Sequence, residues 1–412
     1  MLAERTSRIS SSPTMKGLIA AERLRQAGVD VVDLSAGEPD FATPEHVKDA
    51  AHAAITANYT KYTPNSGSSE VKQAIVARYR ADYGVEYDES EVIVCAGGKQ
   101  ALLNAALAVF GPGDEVITHT PGWPTLVEQI KLADATPVIV RTAPEDGFAL
   151  TAQVFLDAIT PRTRGLVINS PANPTGALMT EAEMTRLADH AATRDIWIVL
   201  DLCYERLIYD AVPHNLPKVL GERMRDRTIL TGSASKAYAM TGWRCGWLLA
   251  PRPVVAACNA IQSHCTSNVC SITQKAVVAA LTGPQACVTD MLDAYRRRRD
   301  LIQARVTQDA RLTCTTPAGA FYLFVEVSAL LEPDGLRTSA EFCQALLEDQ
   351  HVVVTAGEAF DAPGFFRLSY AADVDRLEEA ARRLHVFLAD IDAGRYARRE
   401  GSRGASSTRS DT

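Results

Sequence analysis

The chain has 412 residues, of which 47% are hydrophobic and 22% charged, so it can bury one large core and a smaller one. Its formal net charge of −8 argues against a nucleic-acid-binding surface. Nine cysteines without CxxC pairs suggest neither a zinc site nor a disulfide framework, and no apolar run reaches the roughly 18 residues of a membrane helix. We therefore expect a cytoplasmic protein with neither a nucleic-acid nor a membrane partner.

Short apolar runs alternate with helical patterns between about residues 70 and 290. The runs predict strands at 91–95, 115–118, 136–140, 165–169, 196–200 and 228–231. Alternation of this kind is typical of an α/β fold with a mainly parallel sheet covered by helices.

The pattern changes after a predicted helix at 290–306. Strands are predicted at 321–327, 351–355 and 365–369, with a helix at 339–348 between the first two. We expect four parts along the chain: an N-terminal segment (1–50) that packs with the small domain, a large domain (51–290), a smaller α+β domain (291–393) and a disordered tail (394–412). The four consecutive arginines of 296–299 are interpreted as a solvated helix face, with a substrate-facing arginine as the alternative.

Lys236 is the chemically most informative residue. A neutral lysine amine beside an aldehyde forms a Schiff base, and enzymes that use pyridoxal 5'-phosphate (PLP) hold their cofactor in this way. Ser233 and Arg244 offer a hydroxyl and a guanidinium suited to a phosphate. A Ser-x-x-Lys pattern alone also fits a solvated surface lysine, so the rest of the chain must decide.

Other motifs follow the predicted strands. Asp201 comes directly after the run 196–200, at the sheet edge where α/β proteins bind ligands. A buried anion at this position can keep a pyridine nitrogen protonated. The alternative is that Asp201 caps a helix. Gly97 and Gly98 offer backbone N–H groups to a phosphate, or form only a turn. Trp123 offers an aromatic face, or fills the core. The loop 169–176 is more specific, because two X-Pro steps and a glycine constrain it.

Together these motifs resemble the class I aminotransferase family of fold type I PLP-dependent enzymes. The likeness runs from Ser-Ala-Gly-Glu-Pro-Asp-Phe at 35–41 to Phe-Arg-Leu-Ser-Tyr at 366–370. It implies a seven-stranded, mainly parallel sheet sandwiched by helices in a large PLP-binding domain, a smaller α+β domain, and a homodimer whose active sites lie between subunits. It implies a ping-pong transfer of an amino group between an L-amino acid and a 2-oxo acid.

The resemblance also implies residue roles. Lys236 matches the lysine that anchors the cofactor and moves the proton, Asp201 the partner of the pyridine nitrogen, and Trp123 the residue stacked on the ring. The remaining roles are donation to the ring oxygen (Asn173, Tyr204), phosphate binding (Gly98, Lys99, Ser233, Arg244), contact with the neighbouring subunit's phosphate (Tyr62), and binding of the substrate α-carboxylate (Arg367, helped by Gly37 and Asn173).

Substrate choice is less defined. The segments 12–15, 97–100 and 237–243 resemble a branch with bacterial aspartate and prephenate aminotransferases, in which residues matching Lys99 and Thr14 bind a distal carboxylate. This favours an aspartate-like or glutamate-like substrate, although Lys99 could equally serve only the phosphate.

Several positions depart from the family pattern, among them Gly122, Leu202, Cys203, Asn268 and Ala356. They are either neutral packing changes or signs of a specialised PLP enzyme that directs the same chemistry to γ-replacement, oxidation or decarboxylation. A catalytically silent regulator is disfavoured by the full set of catalytic residues. A nucleotide-binding dehydrogenase is disfavoured because no GxGxxG follows the first strand.

Overall fold

A seven-stranded sheet forms the centre of the molecule in this computed structural model, which describes residues 2–10, 15–210 and 212–396. The strands of the described chain are β1 (Val32–Asp33), β2 (Val92–Cys95), β3 (Glu115–Thr120), β4 (Thr136–Arg141), β5 (Thr163–Asn169), β6 (Trp197–Asp201), β7 (Thr228–Ser233), β8 (Gly246–Leu249), β9 (Thr313–Cys314), β10 (Tyr322–Glu326), β11 (Val352–Val353), β12 (Thr355–Ala356) and β13 (Phe365–Ser369).

The central sheet has the spatial order β2-β8-β7-β6-β5-β3-β4. Only β8 runs antiparallel to its neighbours, so the predicted α/β class with a mainly parallel sheet is confirmed. Strand β8 itself was missing from the sequence prediction, because its four residues do not stand out from the apolar residues beside them.

Helices cover both faces of this sheet. The helices of the described chain are α1 (Arg5–Arg8), α2 (Met15–Gln26), α3 (Glu45–Thr56), α4 (Ser69–Tyr83), α5 (Gly98–Val109), α6 (Pro124–Leu132), α7 (Ala152–Leu156), α8 (Glu181–Ala192), α9 (Leu216–Met224), α10 (Arg252–Cys265), α11 (Ser271–Thr282), α12 (Ala286–Val306), α13 (Ser339–Gln350) and α14 (Val374–Asp392). Alternate residues of β2 enter different cores: Val92 and Val94 pack in the core that includes α4, and Ile93 and Cys95 in the core that includes α5. Burial on both faces explains why these strands read as continuous apolar runs.

A second core lies around two smaller sheets. The antiparallel sheet β12-β13-β10-β9 packs with α12, α13 and α14, and aromatic residues such as Phe321, Phe342 and Phe387 fill the space between them. Strand β1, near the N-terminus, pairs in parallel with β11. The four-part division of the chain stays a prediction; of its tail, residues 397–412 lie outside the described part.

The arginine run of α12 corrects one interpretation. Arg298 and Arg299 are buried, and they pair with Asp40 at 2.7 Å and Asp210 at 2.8 Å. The predicted solvated face is therefore wrong for these two residues, because carboxylates from other segments allow their guanidinium groups to be buried. Neither residue lines the site described below, so the substrate-facing alternative is not observed for them either.

Within residues 2–10, 15–210 and 212–396, no helix is both long and apolar enough to span a bilayer.

Candidate active site

A cavity of about 410 Å³ lies at the carboxyl ends of β5, β6 and β7, and residues from β10 and β13 complete its wall. The structure brings most of the predicted site residues together there. The cavity is lined by Gly37, Gly98, Lys99, Trp123, Asn173, Asp201, Tyr204, Ser233, Lys236, Arg244 and Arg367, with Ser35, Ala36, Glu38, Leu102, Asn169, Cys203, Ser235, Thr241 and Tyr322.

Lys236 stands three residues after the end of β7, where the chain turns away from the sheet. Its Nζ donates a hydrogen bond to the Gly37 carbonyl oxygen, so its side chain extends across the cavity. Burial lowers the pKa of Lys236 below its usual value. A lower pKa favours the neutral amine, which is the form that attacks a carbonyl carbon.

Asp201 is the last residue of β6 and only 2% exposed. The Cys203 N–H donates to its Oδ1 at 3.0 Å and the Asn169 Nδ2 to its Oδ2 at 3.2 Å. Burial nevertheless raises the pKa of Asp201 to about 7. The carboxylate is therefore held in one orientation but lacks an ion-pair partner among the described residues, so a cationic ring nitrogen would stabilise its charged form.

Arg367, on β13, is only 3% exposed and forms no ion pair with any described residue. Its Nη1 donates to Asn173 Oδ1 at 2.9 Å and its Nη2 to the Ser35 carbonyl at 2.7 Å, while its Nε has no hydrogen-bond partner in the described part of the chain. Since buried charges are normally paired, this guanidinium is suited to an anionic ligand such as a carboxylate.

Asn173 is positioned from two sides. Its N–H donates to Asn169 Oδ1 at 2.9 Å, and its Oδ1 accepts from Arg367. Because Asn169 also holds Asp201, a continuous set of hydrogen bonds joins the buried carboxylate to the buried guanidinium. The side-chain amide nitrogen of Asn173 is a donor that can be aimed at a ligand oxygen.

The end of the site that the family resemblance assigns to a phosphate is built around two glycines at the start of α5. Gly97 has φ +86°, and a Cβ there would lie 2.5 Å from Nη2 of Arg244, so only glycine allows the guanidinium to approach. Gly98 begins α5, whose N-terminal N–H groups favour an anion, and the Ser233 side chain lies beside it. Arg244 has φ +53°, in the left-handed region that residues other than glycine seldom adopt.

Lys99 and Trp123 mark the other side of the cavity. The Lys99 Nζ lies 5.0 Å from the centre of the Trp123 ring, and burial, followed by the charge of Arg244, lowers the pKa of Lys99. Both residues also line a second cavity of about 610 Å³. The position is compatible with either role considered for Lys99, phosphate binding or contact with a distal carboxylate.

Two predicted site residues are not part of this cavity. Tyr62 lies in the loop before α4 and is 92% exposed, and Thr14 lies outside the described residues. Their roles stay predictions.

Among the lining residues without a predicted role, Asn169 and Tyr322 form hydrogen bonds with predicted site residues. Asn169 ends β5 at the same sheet edge as Asp201, and this signal could have identified it. Tyr322 lies within a predicted strand, but nothing in the alternation of 321–327 shows which tyrosine or phenylalanine faces a ligand. Cys203 lines the cavity, with its Sγ 3.7 Å from Ser233 Oγ, whereas Cys245 is buried outside it.

Comparison with known proteins agrees with this geometry. The family profile described as "Aminotransferase class I and II" matches residues 29–384. The aspartate aminotransferase of Geobacillus stearothermophilus is 40% identical over 94% of this chain and 98% of its own length. The aspartate/prephenate aminotransferase of Cereibacter sphaeroides is 40% identical over 95% of this chain and 99% of its own.

Solved structures show the same likeness. The aspartate aminotransferase of Rhizobium meliloti superimposes with a TM-score of 0.89 at 39% identity, covering 95% of this chain and 99% of that one. The Thermus thermophilus aspartate aminotransferase with maleate gives 0.88 at 38% identity, covering 94% and 99%. The matches extend over nearly the whole chain, the segment around Lys236 included, and the protein therefore belongs to the class I and II aminotransferases and has their fold type I architecture.

Proposed function

We propose that this aminotransferase uses PLP to move an amino group between an aspartate-like or glutamate-like amino acid and a 2-oxo acid. The observation that carries the proposal is the shared cavity of Lys236, Asp201 and Arg367: an amine with a lowered pKa, a buried carboxyl with a raised pKa, and a buried guanidinium without an ion-pair partner among the described residues. These are the groups needed to hold an aldehyde, a pyridine nitrogen and a substrate carboxylate.

The residues present fit PLP. Lys236 would hold the aldehyde carbon, Asp201 the ring nitrogen, and Asn173 and Tyr204 the ring oxygen, with Trp123 against the ring face. The phosphate would be bound by Gly98, Lys99, Ser233 and Arg244. When bound, PLP supplies an electron sink for the negative charge left by removal of a substrate proton.

The protein's own groups then direct the reaction. Arg367 would bind the substrate α-carboxylate with help from Gly37 and Asn173, which fixes the orientation of the α-carbon. The Lys236 amine, freed when substrate takes its place, would remove the α-proton and deliver it to the neighbouring carbon of the cofactor. Positioned proton transfer of this kind contributes on the order of 10²–10⁴-fold in rate.

The substrate class rests on the relatives. Those named above are aspartate or aspartate/prephenate aminotransferases, which favours a dicarboxylic amino donor. Lys99 and Thr14 are the residues proposed to contact the distal carboxylate. The names give no support to γ-replacement, oxidation or decarboxylation as the main outcome.

A homodimer and a cytoplasmic location complete the proposal. Tyr62 is an aromatic residue that is 92% exposed, and contact with the phosphate of a neighbouring subunit would cover it. All nine cysteines are free, which fits a reducing compartment.

Two half-reactions test the proposed function. PLP-loaded protein mixed with L-aspartate should lose its visible absorption band and yield oxaloacetate and pyridoxamine phosphate by mass analysis. Addition of 2-oxoglutarate should restore the band and yield glutamate. An amine that has lost carbon dioxide but kept its nitrogen, such as β-alanine, or a band that L-aspartate and L-glutamate both leave unchanged, would contradict the proposal.

A further inference from the structure

Tyr322, on β10, contacts two predicted site residues, Tyr204 and Arg367. Its hydroxyl lies 2.7 Å from the Tyr204 hydroxyl, and the Arg367 guanidinium lies over its ring, 4.3 Å from the ring centre. It is only 1% exposed. One side chain thus contacts the proposed donor to the cofactor's ring oxygen and the proposed carboxylate-binding group.

The hydroxyl of Tyr322 is closely enclosed. A Cβ at Gly37 would lie 2.7 Å from it, so the glycine leaves room for the hydroxyl at this point. The carbonyl oxygen of the same glycine accepts the hydrogen bond from Lys236. A side chain at position 37 would therefore displace the Tyr322 hydroxyl.

The contact between the hydroxyls can have only one donor. If Tyr204 gives its proton to the ring oxygen of the cofactor, its own oxygen is left to accept, and Tyr322 must donate. A hydroxyl that accepts a hydrogen bond becomes a stronger donor, because successive hydrogen bonds polarise one another.

We propose that Tyr322 is a positioning residue for this reaction: its hydroxyl orients and polarises Tyr204 toward the ring oxygen, and its ring supports Arg367 in the carboxylate-binding position. The inference rests on the proposed function and adds a residue to it. The hydroxyl and the ring have separate tasks, so different substitutions separate them.

Tyr322→Phe tests the hydroxyl. A weaker donor at the ring oxygen leaves more negative charge there to hold the Schiff-base proton, so the proton is lost at higher pH. The pH midpoint of the visible band should rise by about 0.5 pH unit relative to wild type, the effect of weakening one hydrogen bond. Because the ring remains, the dissociation constant for maleate, an unreactive dicarboxylate, should stay within about twofold.

Tyr322→Leu tests the ring. It should raise the midpoint as the phenylalanine variant does and also weaken maleate binding by about 3–10-fold, because the cation–π contact with Arg367 is lost. Tyr295→Phe is the matched control: Tyr295 is buried in the same core, and its hydroxyl has no hydrogen-bond partner among the described residues. Neither measurement should change in this variant, and thermal midpoints confirm that all variants fold.

Tyr204→Phe tests whether the pH midpoint of the visible band depends on a hydrogen bond to the ring oxygen of the cofactor. If this variant raises the midpoint and Tyr322→Phe leaves it unchanged within about 0.1 pH unit, Tyr322 serves packing alone and the inference is wrong. If Tyr204→Phe has no effect either, the role of Tyr204 is wrong and the coupling through Tyr322 is wrong with it. A wild-type protein without any visible band would refute the proposed cofactor itself.

Discussion

The two ends of the candidate site are built differently. At the ring end, Asp201, Asn169 and Asn173 are buried and hydrogen-bonded to one another within one chain. At the other end, the Arg244 and Lys99 side chains are only partly buried, and they lie beside Gly97 and Gly98 at the start of α5. The ring end is complete in one chain, whereas the phosphate end is open in the region where we expect a second subunit.

This difference separates groups that should determine the reaction rate from groups that should determine cofactor affinity. Groups at the ring end have fixed orientations and altered pKa values, so substitutions there should act mainly on the rate of reaction. Groups at the proposed phosphate end would surround an anion with N–H groups and positive charge, so substitutions there should act mainly on cofactor affinity. Four substitutions test the division, from the largest expected effect to the smallest.

Lys236→Ala should have the largest effect. The variant loses the group that moves the proton, so single-turnover conversion of L-aspartate should slow by about 10²–10⁴-fold or more. Lys99→Ala is the control, because Lys99 lies in the same cavity but is proposed to bind rather than to transfer a proton. Lys99→Ala should change the affinity for PLP or for L-aspartate and should retain turnover. Retained transamination in Lys236→Ala would show that the proton is moved by another group.

Asp201→Asn should slow the same half-reaction by about 10²–10³-fold. The change keeps the shape but removes the charge opposite the ring nitrogen, and loss of one partner of a buried ion pair costs ~3–5 kcal/mol. Glu205→Gln is a matched control: burial also raises the pKa of Glu205 to about 7, but its carboxylate accepts from Tyr83 away from the cavity. An equal loss in both variants would contradict a specific role for Asp201.

The same variant gives a pH test of the cofactor-free protein. Burial raises the pKa of Asp201 to about 7, so the folded chain keeps a proton that the unfolded chain loses near pH ~4. Between those values the Asp201 contribution to the free energy of unfolding falls as pH rises, and the loss is complete above about 7. Denaturation at several pH values should show wild type losing stability relative to Asp201→Asn across this interval. A constant difference between the two proteins would contradict the raised pKa.

Arg367→Lys should raise KM for L-aspartate by about 10–100-fold, because one charge-assisted hydrogen bond to the carboxylate contributes ~1.5–3 kcal/mol. PLP affinity should change little. Arg299→Lys supplies the control, since Arg299 is equally buried but already paired with Asp210. Loss of PLP with normal KM in Arg367→Lys would mean that this arginine serves the cofactor instead.

Gly97→Ala should have the smallest effect on the reaction rate and a clear effect on PLP binding. Its Cβ would displace the Arg244 guanidinium, so the PLP dissociation constant should rise by about tenfold, the loss of one charge-assisted contact. Gly113→Ala is the matched control, because Gly113 also has a positive φ, +91°, but has nothing within 4 Å of the added Cβ. Both variants should lose ~1 kcal/mol of stability, and only Gly97→Ala should bind PLP more weakly.

Much of the fold could be predicted from the sequence, since strands buried on both faces leave continuous apolar runs. Strand β8 escaped because its four residues, Gly246–Leu249, do not stand out from the apolar residues beside them. The burial of Arg298 and Arg299 escaped for another reason: it depends on Asp40 and Asp210, which are far away in the sequence.

The residues of the candidate site were predictable where they lie at the carboxyl ends of predicted strands. Asp201 ends strand β6, Lys236 lies three residues after strand β7, and family motifs surround both. Two neighbours of Arg367 were not predictable, because the Tyr322 ring and the Ser35 carbonyl reach it only through tertiary packing. Polar residues after strands are thus visible in a sequence, whereas side chains that support them from another sheet are not.

Borohydride reduction of the PLP-loaded protein tests the central claim most directly. Digestion and mass analysis should find a pyridoxyl group on the peptide that contains Lys236, and a molar excess of L-aspartate before reduction should decrease the labelling. A pyridoxyl group found instead on Lys99, or on no peptide, would contradict the assignment of Lys236 as the cofactor-binding lysine.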